Sequence, residues 1–118
     1  MLKGRAGEPV EIRVKGWPPL HQCGVSITSD KHPHRERVQE FVKCAREAMR
    51  GRALLEGSLV MEIEYAGLYP LTDPINVVCA LPNMFEGIVY GDDNQIREVH
   101  CWEKQGDEAE CVIRFRGR

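Results

Sequence analysis

Two apolar rhythms alternate along this chain, and together they restrict it to a layered fold of strands and helices. Val10, Ile12 and Val14 alternate with Glu11, Arg13 and Lys15, the period-two pattern of a half-buried strand, and Gly16-Trp17-Pro18-Pro19 ends it. Leu20 to Asp30 has no period and reads as a loop, with a helix predicted to start at Ser29 or Asp30 and to tolerate Pro33 in its first turn. Val38, Phe41, Val42, Ala45, Ala48 and Met49 then recur at helical spacing, and Gly51 ends that helix. Leu59, Met61, Ile63 and Tyr65 alternate with Val60, Glu62 and Glu64, a second strand running into Gly67.

Asp73 followed by Pro74 is an N-cap with proline at the first helical position, and Ile75, Val78, Cys79 and Leu81 supply an apolar stripe. Pro82 has no N–H to bond back to Val78, so this helix is expected to kink or stop there. Arg97 to Trp102 and Cys111 to Phe115 read as two strands joined through Gln105-Gly106-Asp107 as a hairpin. The order is β-α-β-α-β-β, which predicts an α/β domain with a mixed sheet and two helices packed on it. With 118 residues and 42% apolar side chains there is material for one core, so residues 1–118 are one domain, its core spanning about 10–116.

Charge is distributed unevenly. Lys31 to Arg52 holds seven basic and three acidic residues, whereas Phe85 to Glu110 holds two basic and eight acidic ones, so the net charge of -2 hides a polarised molecule. That balance excludes a uniformly basic nucleic-acid coat. No window offers an apolar run long enough to span a membrane, and no apolar stretch follows the first charges as in a signal peptide, so a cytoplasmic protein is expected. The five cysteines, Cys23, Cys44, Cys79, Cys101 and Cys111, contain no C-x-x-C pair and read as reduced thiols. His21, Cys23, His32 and His34 share one region, but H-x-C and H-x-H match no structural zinc spacing.

The stretch Leu71 to Ile96 carries the most chemistry. Asp73 opens a helix, and Asp92-Asp93-Asn94 closes the segment, so two acidic groups flank one short helix. If the turn folds back, Asp73, Asp92 and Asp93 converge, with Glu62 or Glu64 offered from the neighbouring strand, and converging carboxylates suit a hard cation such as Mg²⁺. The same residues also suit plainer roles, Asp73 as an N-cap and Asp92-Asp93-Asn94 as a turn.

The spacing resembles that of the RusA-type Holliday junction resolvases, whose pattern is a D-x-D-N-x-x-K-x-x-x-D helix followed by G-[IV]-[VI]-x-x-D-D-x-Q-[IV]. The matching positions are Asp73, Asn76, Gly87, Ile88, Val89, Asp92, Asp93, Gln95 and Ile96, and Trp17-Pro18-Pro19 resembles the family's W-P-P after its first strand. The resemblance implies a homodimer and a Mg²⁺-dependent endonuclease that nicks branched DNA in recombination and repair. It implies Asp73 and Asp93 as catalytic residues, with Asp73, Asp92 and Asp93 as metal ligands. A DNA-binding member would meet phosphates through Lys31, Arg35, Lys43, Arg46 and Arg50, while Glu36, Glu40 and Glu47 interleave with these cations and equally suit a solvated face of ion pairs. Three positions depart from the pattern: Ile75 replaces the second helix aspartate, Cys79 the lysine, and Asn83 a further aspartate. Losing one electrostatic element of this kind costs ~10²–10³ in rate, so the alternative is a catalytically depleted module of the same fold that binds DNA or a protein partner without cleaving.

Overall fold

The computed structural model describes residues 8–19, 26–66, 74–106 and 108–118, the side chain of Asn76 excepted. The chain runs β1 (Val10–Lys15), α1 (Arg35–Ala48), β2 (Leu59–Ala66), α2 (Pro74–Met84), a 3₁₀ turn at Asp93–Gln95, β3 (Ile96–Glu103) and β4 (Glu110–Gly117). The predicted β-α-β-α-β-β order and mixed α/β sheet hold. The strands lie in the order β1-β4-β2-β3. β4 is antiparallel to both β1 and β2, and β2 runs parallel to β3.

The last two strands are not a hairpin, because β2 lies between them. Turn residues at 105–107 announce that the chain reverses, but they do not choose its neighbour. Six residues separate β3 from β4. Crossing one intervening strand means a step of about 10 Å, well within the reach of such a linker at roughly 3.3 Å per residue. Burial explains the preference. β2 buries alternate residues Leu59, Met61, Ile63 and Tyr65 under the helices, and it also buries Val60 and Ala66 on its other face, so it belongs in the middle.

One apolar cluster joins the inward residues of the sheet to Phe41 and Ala45 of α1 and to Val77, Ala80 and Leu81 of α2, which places both helices on the same face. Phe115 of β4 sits under the aromatic centre of this core, its ring 5.7 Å from that of Phe85 and 5.5 Å from that of Tyr90, both edge-on. Among the described residues no helix covers the opposite face. There Arg114 reaches Glu11 at 3.0 Å, Arg13 reaches Glu110 at 3.2 Å and Arg116 reaches Glu62 at 3.7 Å, and the stems of these long side chains cover Val60 and Val112.

α1 begins at Arg35 rather than at Ser29 or Asp30. Pro33 disfavours helical dihedrals at His32, so residues 26–35 descend instead through successive tight turns, Ser29 N–H to Ser26 O, His32 N–H to Ser29 O and Arg35 N–H to His32 O. Gly51, with φ +74°, follows the helix as expected. α2 starts at Pro74 and continues two residues beyond Pro82, to Met84. The expected stop is overridden by packing, since Leu81 and Met84 are buried and the Tyr90 hydroxyl donates to the Pro82 carbonyl, capping the broken last turn. Among the described residues no helix is long and apolar enough to cross a membrane.

Candidate metal centre and basic groove

A turn of unusual tightness follows α2. Gly87 adopts φ +83°, a conformation open to glycine, and its N–H donates to the Tyr90 carbonyl at 2.7 Å. Tyr90 is anchored in the core, so the chain doubles back and brings Glu86 to the start of β3. The Asp93 N–H then donates to the Glu86 carboxylate at 2.8 Å. Asp92 caps the 3₁₀ turn by accepting from the Asn94 N–H at 2.8 Å.

Gln95 holds this loop from below. Its side-chain oxygen accepts from the N–H groups of Gly91 and Asp92, each at 3.1 Å, while its amide nitrogen donates to the carbonyls of Leu55 and Gly57, each at 3.0 Å. Both lone pairs and both N–H groups of the amide are used, and the acidic loop is thereby tied to the segment entering β2.

Glu86, Asp92 and Asp93 consequently present carboxylate oxygens that all lie within 4.8 Å of one another. Two oxygens bound to one cation can stand apart by about twice the ligand distance, ~4.2 Å for Mg²⁺ and ~5 Å for Ca²⁺. Small rotations of exposed side chains cover the difference. Asp93 is half-buried, and its carboxyl is pushed above the usual aspartate value, first by desolvation and then by the negative charge of Glu86 and Asp92. Bringing like charges together this way costs free energy that a cation would return.

The expected ligand set is thus only partly reproduced. Asp92 and Asp93 converge, whereas Asp73 lies outside the described residues. Neither Glu62 nor Glu64 joins them, because both point to the helix-free face, where Glu62 faces Arg116 and Glu64 accepts from Trp102 Nε1 at 3.2 Å. Glu86 was absent from the expected set. Its signal was the glycine immediately after it, which permits the reversal that carries position 86 back to 92. Ile75 is 75% exposed, and Cys79 and Asn83 are exposed as well. Ile75 stands near the start of α2, and eleven residues of helix at 1.5 Å each place it at the far end from Glu86.

A second feature lies along α1. Thr28, Gln39, Lys43, Arg46, Glu47 and Arg50 rim a groove of about 620 Å³ floored by Val38 and Val42. Of the cations expected to meet phosphate, Lys43, Arg46 and Arg50 fall on this groove. Lys31 belongs to the preceding turn rather than to the helix, its N–H held by Ser29 Oγ at 3.1 Å, and Arg35 leans 3.6 Å from Asp30. Arg37 is turned inward: it donates to the carbonyls of Lys15 at 2.7 Å and Trp17 at 3.1 Å, with its guanidinium over the Trp17 and Phe41 rings.

His32 is buried, and its Nδ1 accepts from the His34 N–H at 3.0 Å, so that nitrogen is committed to the turn. His21 and Cys23 lie outside the described residues. Cys44, Cys79, Cys101 and Cys111 are free thiols, as expected. No protein-family model matches the chain, and no curated protein matches its sequence.

Proposed function

We propose that this chain is a cytoplasmic, RusA-like protein that acts on branched DNA as a homodimer in recombination or repair, with Mg²⁺ held by Asp92, Asp93 and Glu86, and with Asp73 carried over from the resemblance. The observation that carries this reading is the convergence of three carboxylates at the segment whose residues resemble the resolvase motif. Asp73 and Asp93 are its catalytic candidates. The cation would neutralise charge on the phosphoryl oxygens and lower the pKa of an attacking water, and Lys43, Arg46 and Arg50 would meet the sugar-phosphate backbone. A second reading, a depleted module that binds branched DNA or a protein without cutting, is favoured by Ile75 and Cys79, which are uncharged where the motif has an aspartate and a lysine.

The deciding experiment is a nicking assay on a synthetic four-way junction with Mg²⁺ or Mn²⁺, run beside gel-shift binding at low salt and with Asp93→Asn as control. Nicking lost in Asp93→Asn supports the enzyme. Binding without nicking in the unaltered protein supports the depleted module, and absence of both removes DNA from the account.

A further inference from the structure

We infer that the groove beside α1 is a binding site for a small amphipathic anion, a molecule with an apolar tail and an anionic head that lies along the helix with its tail on Val38 and Val42 and its head on Arg46 and Arg50. This goes beyond the proposed function, which uses only the cations of the groove, and it rests on no property of DNA.

The order of residues on the floor is the first observation. Val38, Val42 and Arg46 follow one another at four-residue spacing on α1, and Arg50 continues the row in the turn that ends the helix. Val38 is buried and Val42 half-buried, whereas Arg46 and Arg50 are exposed. The row is therefore apolar at one end and cationic at the other, with about 12 Å from Val38 to Arg46 at ~1.5 Å per residue. A sugar-phosphate backbone carries charge at every step and has no use for the apolar half. A head-to-tail amphiphile matches both halves.

The second observation is that these cations are uncommitted. Arg13, Arg35, Arg114, Arg116 and Arg118 each stand in an ion pair, and Arg37 and Arg52 donate to backbone carbonyls. Lys43, Arg46 and Arg50 have no ion-pair partner among the described residues. Three cations less the one negative charge of Glu47 leave +2 on the rim. The helix C-terminus beside them is worth roughly −0.5 of a charge, so compensating the dipole uses only part of this. The remainder attracts an anion, and the planar fork of an arginine suits a carboxylate head in particular.

Size is the third. The groove encloses about 620 Å³, with Thr28 contributing a wall from the turns before α1, its hydroxyl 3.1 Å from that of Ser26. Sites for small molecules span roughly 300–1,000 Å³.

Titration calorimetry of the full chain with decanoate at neutral pH tests the inference. Saturable one-to-one binding with Kd below about 1 mM is expected. Affinity should rise about two- to fourfold for each methylene from hexanoate to decanoate, fourfold corresponding to complete burial of the methylene. Acetate, the head without the tail, and decyltrimethylammonium, the tail with the opposite charge, should not bind. Arg46→Glu and Arg50→Glu should each weaken decanoate at least tenfold. Both positions are exposed, so circular dichroism should show each variant folded. Absence of saturation below about 1 mM overturns the inference, as does equal binding of the cationic amphiphile or unchanged affinity in both variants. So does association with anionic phospholipid vesicles without affinity for free decanoate, which would give the groove to a membrane surface. Decanoate binding without junction binding would leave the inference standing and take the phosphate contacts away from the groove. Junction binding without decanoate binding overturns the inference and leaves the DNA reading intact.

Discussion

The Asp93 backbone N–H donates to the Glu86 carboxylate at 2.8 Å, so a neutral donor pins one acidic residue against another. With Asp92 capping the same turn, the fold holds three negative side chains closer than their charges favour. Mn²⁺ or Mg²⁺ is therefore expected to raise the melting temperature. Glu86→Gln, Asp92→Asn and Asp93→Asn should each weaken the cation, on the order of 10–100-fold, the loss typical of disturbing a metal site. Calorimetric titration with Mn²⁺ checks this, and unchanged affinity in all three variants would assign the cluster to turn formation alone.

The raised value of Asp93 has a definite consequence for pH. A carboxyl whose folded-state pKa lies above its unfolded value stabilises the fold while protonated, and that contribution is lost as pH rises from the ordinary aspartate range through the raised one. In EDTA, Asp93→Asn is therefore expected to be more stable than the unaltered protein at neutral pH, with the difference shrinking as pH falls toward 4, near the ordinary aspartate value. Cation affinity should fall over the same interval, because protonation removes a ligand charge. Melting curves from pH 4 to pH 8 measure both trends, and a variant less stable than the parent at pH 7 would contradict the repulsion argument.

Gln95 offers a test of the scaffold apart from the carboxylates. Its amide makes four hydrogen bonds that connect the acidic loop to residues 55 and 57. At roughly 0.5–1.5 kcal/mol net for each bond, and with partial replacement by water, Gln95→Ala should cost about 2 kcal/mol. Gln95→Glu should cost more than its size implies, since a carboxylate cannot donate to the Leu55 and Gly57 carbonyls and adds charge beside Asp92. Denaturant unfolding measures both. The loss of cation affinity in Gln95→Ala should exceed that in an exposed control such as Asn83→Ala.

Much of this architecture was legible because burial on one face writes a period into the sequence. Val10, Ile12 and Val14 are buried alternately as their spacing predicted, and Phe41 and Ala45 lie on the inner face of α1. The pattern failed where residues are buried on both faces or where one partner is remote. Val60 read as an outward position beside Glu62 and Glu64, and it is buried instead on the face that carries the charged stems of neighbouring strands. Pairing of β4 with β2 is set by the centre of the sheet and not by the turn before β4. At the site, Asp92 and Asp93 were visible as a motif. Glu86 was not, because its approach depends on the positive φ of Gly87 and the anchoring of Tyr90, which no charge pattern records.

Arg37 and Arg46 occupy the same helix and look alike in the sequence, yet the structure gives them different work. Arg37 spends its guanidinium on two backbone carbonyls and two aromatic rings between α1 and the end of β1. Arg46 stands on the groove with Lys43 and Arg50. Arg37→Lys should therefore destabilise the fold by roughly 1–2 kcal/mol, because an ammonium cannot reproduce the planar fork or its stacking. Its effect on DNA should follow the loss of folded protein and leave the salt dependence unchanged. Arg46→Ala should leave stability within about 0.5 kcal/mol, as for an exposed side chain. It should instead lower affinity for junction and duplex DNA alike and reduce the slope of log K against log salt by about one, the signature of one lost phosphate contact. Equal salt slopes for the parent and Arg46→Ala would take the groove out of DNA binding.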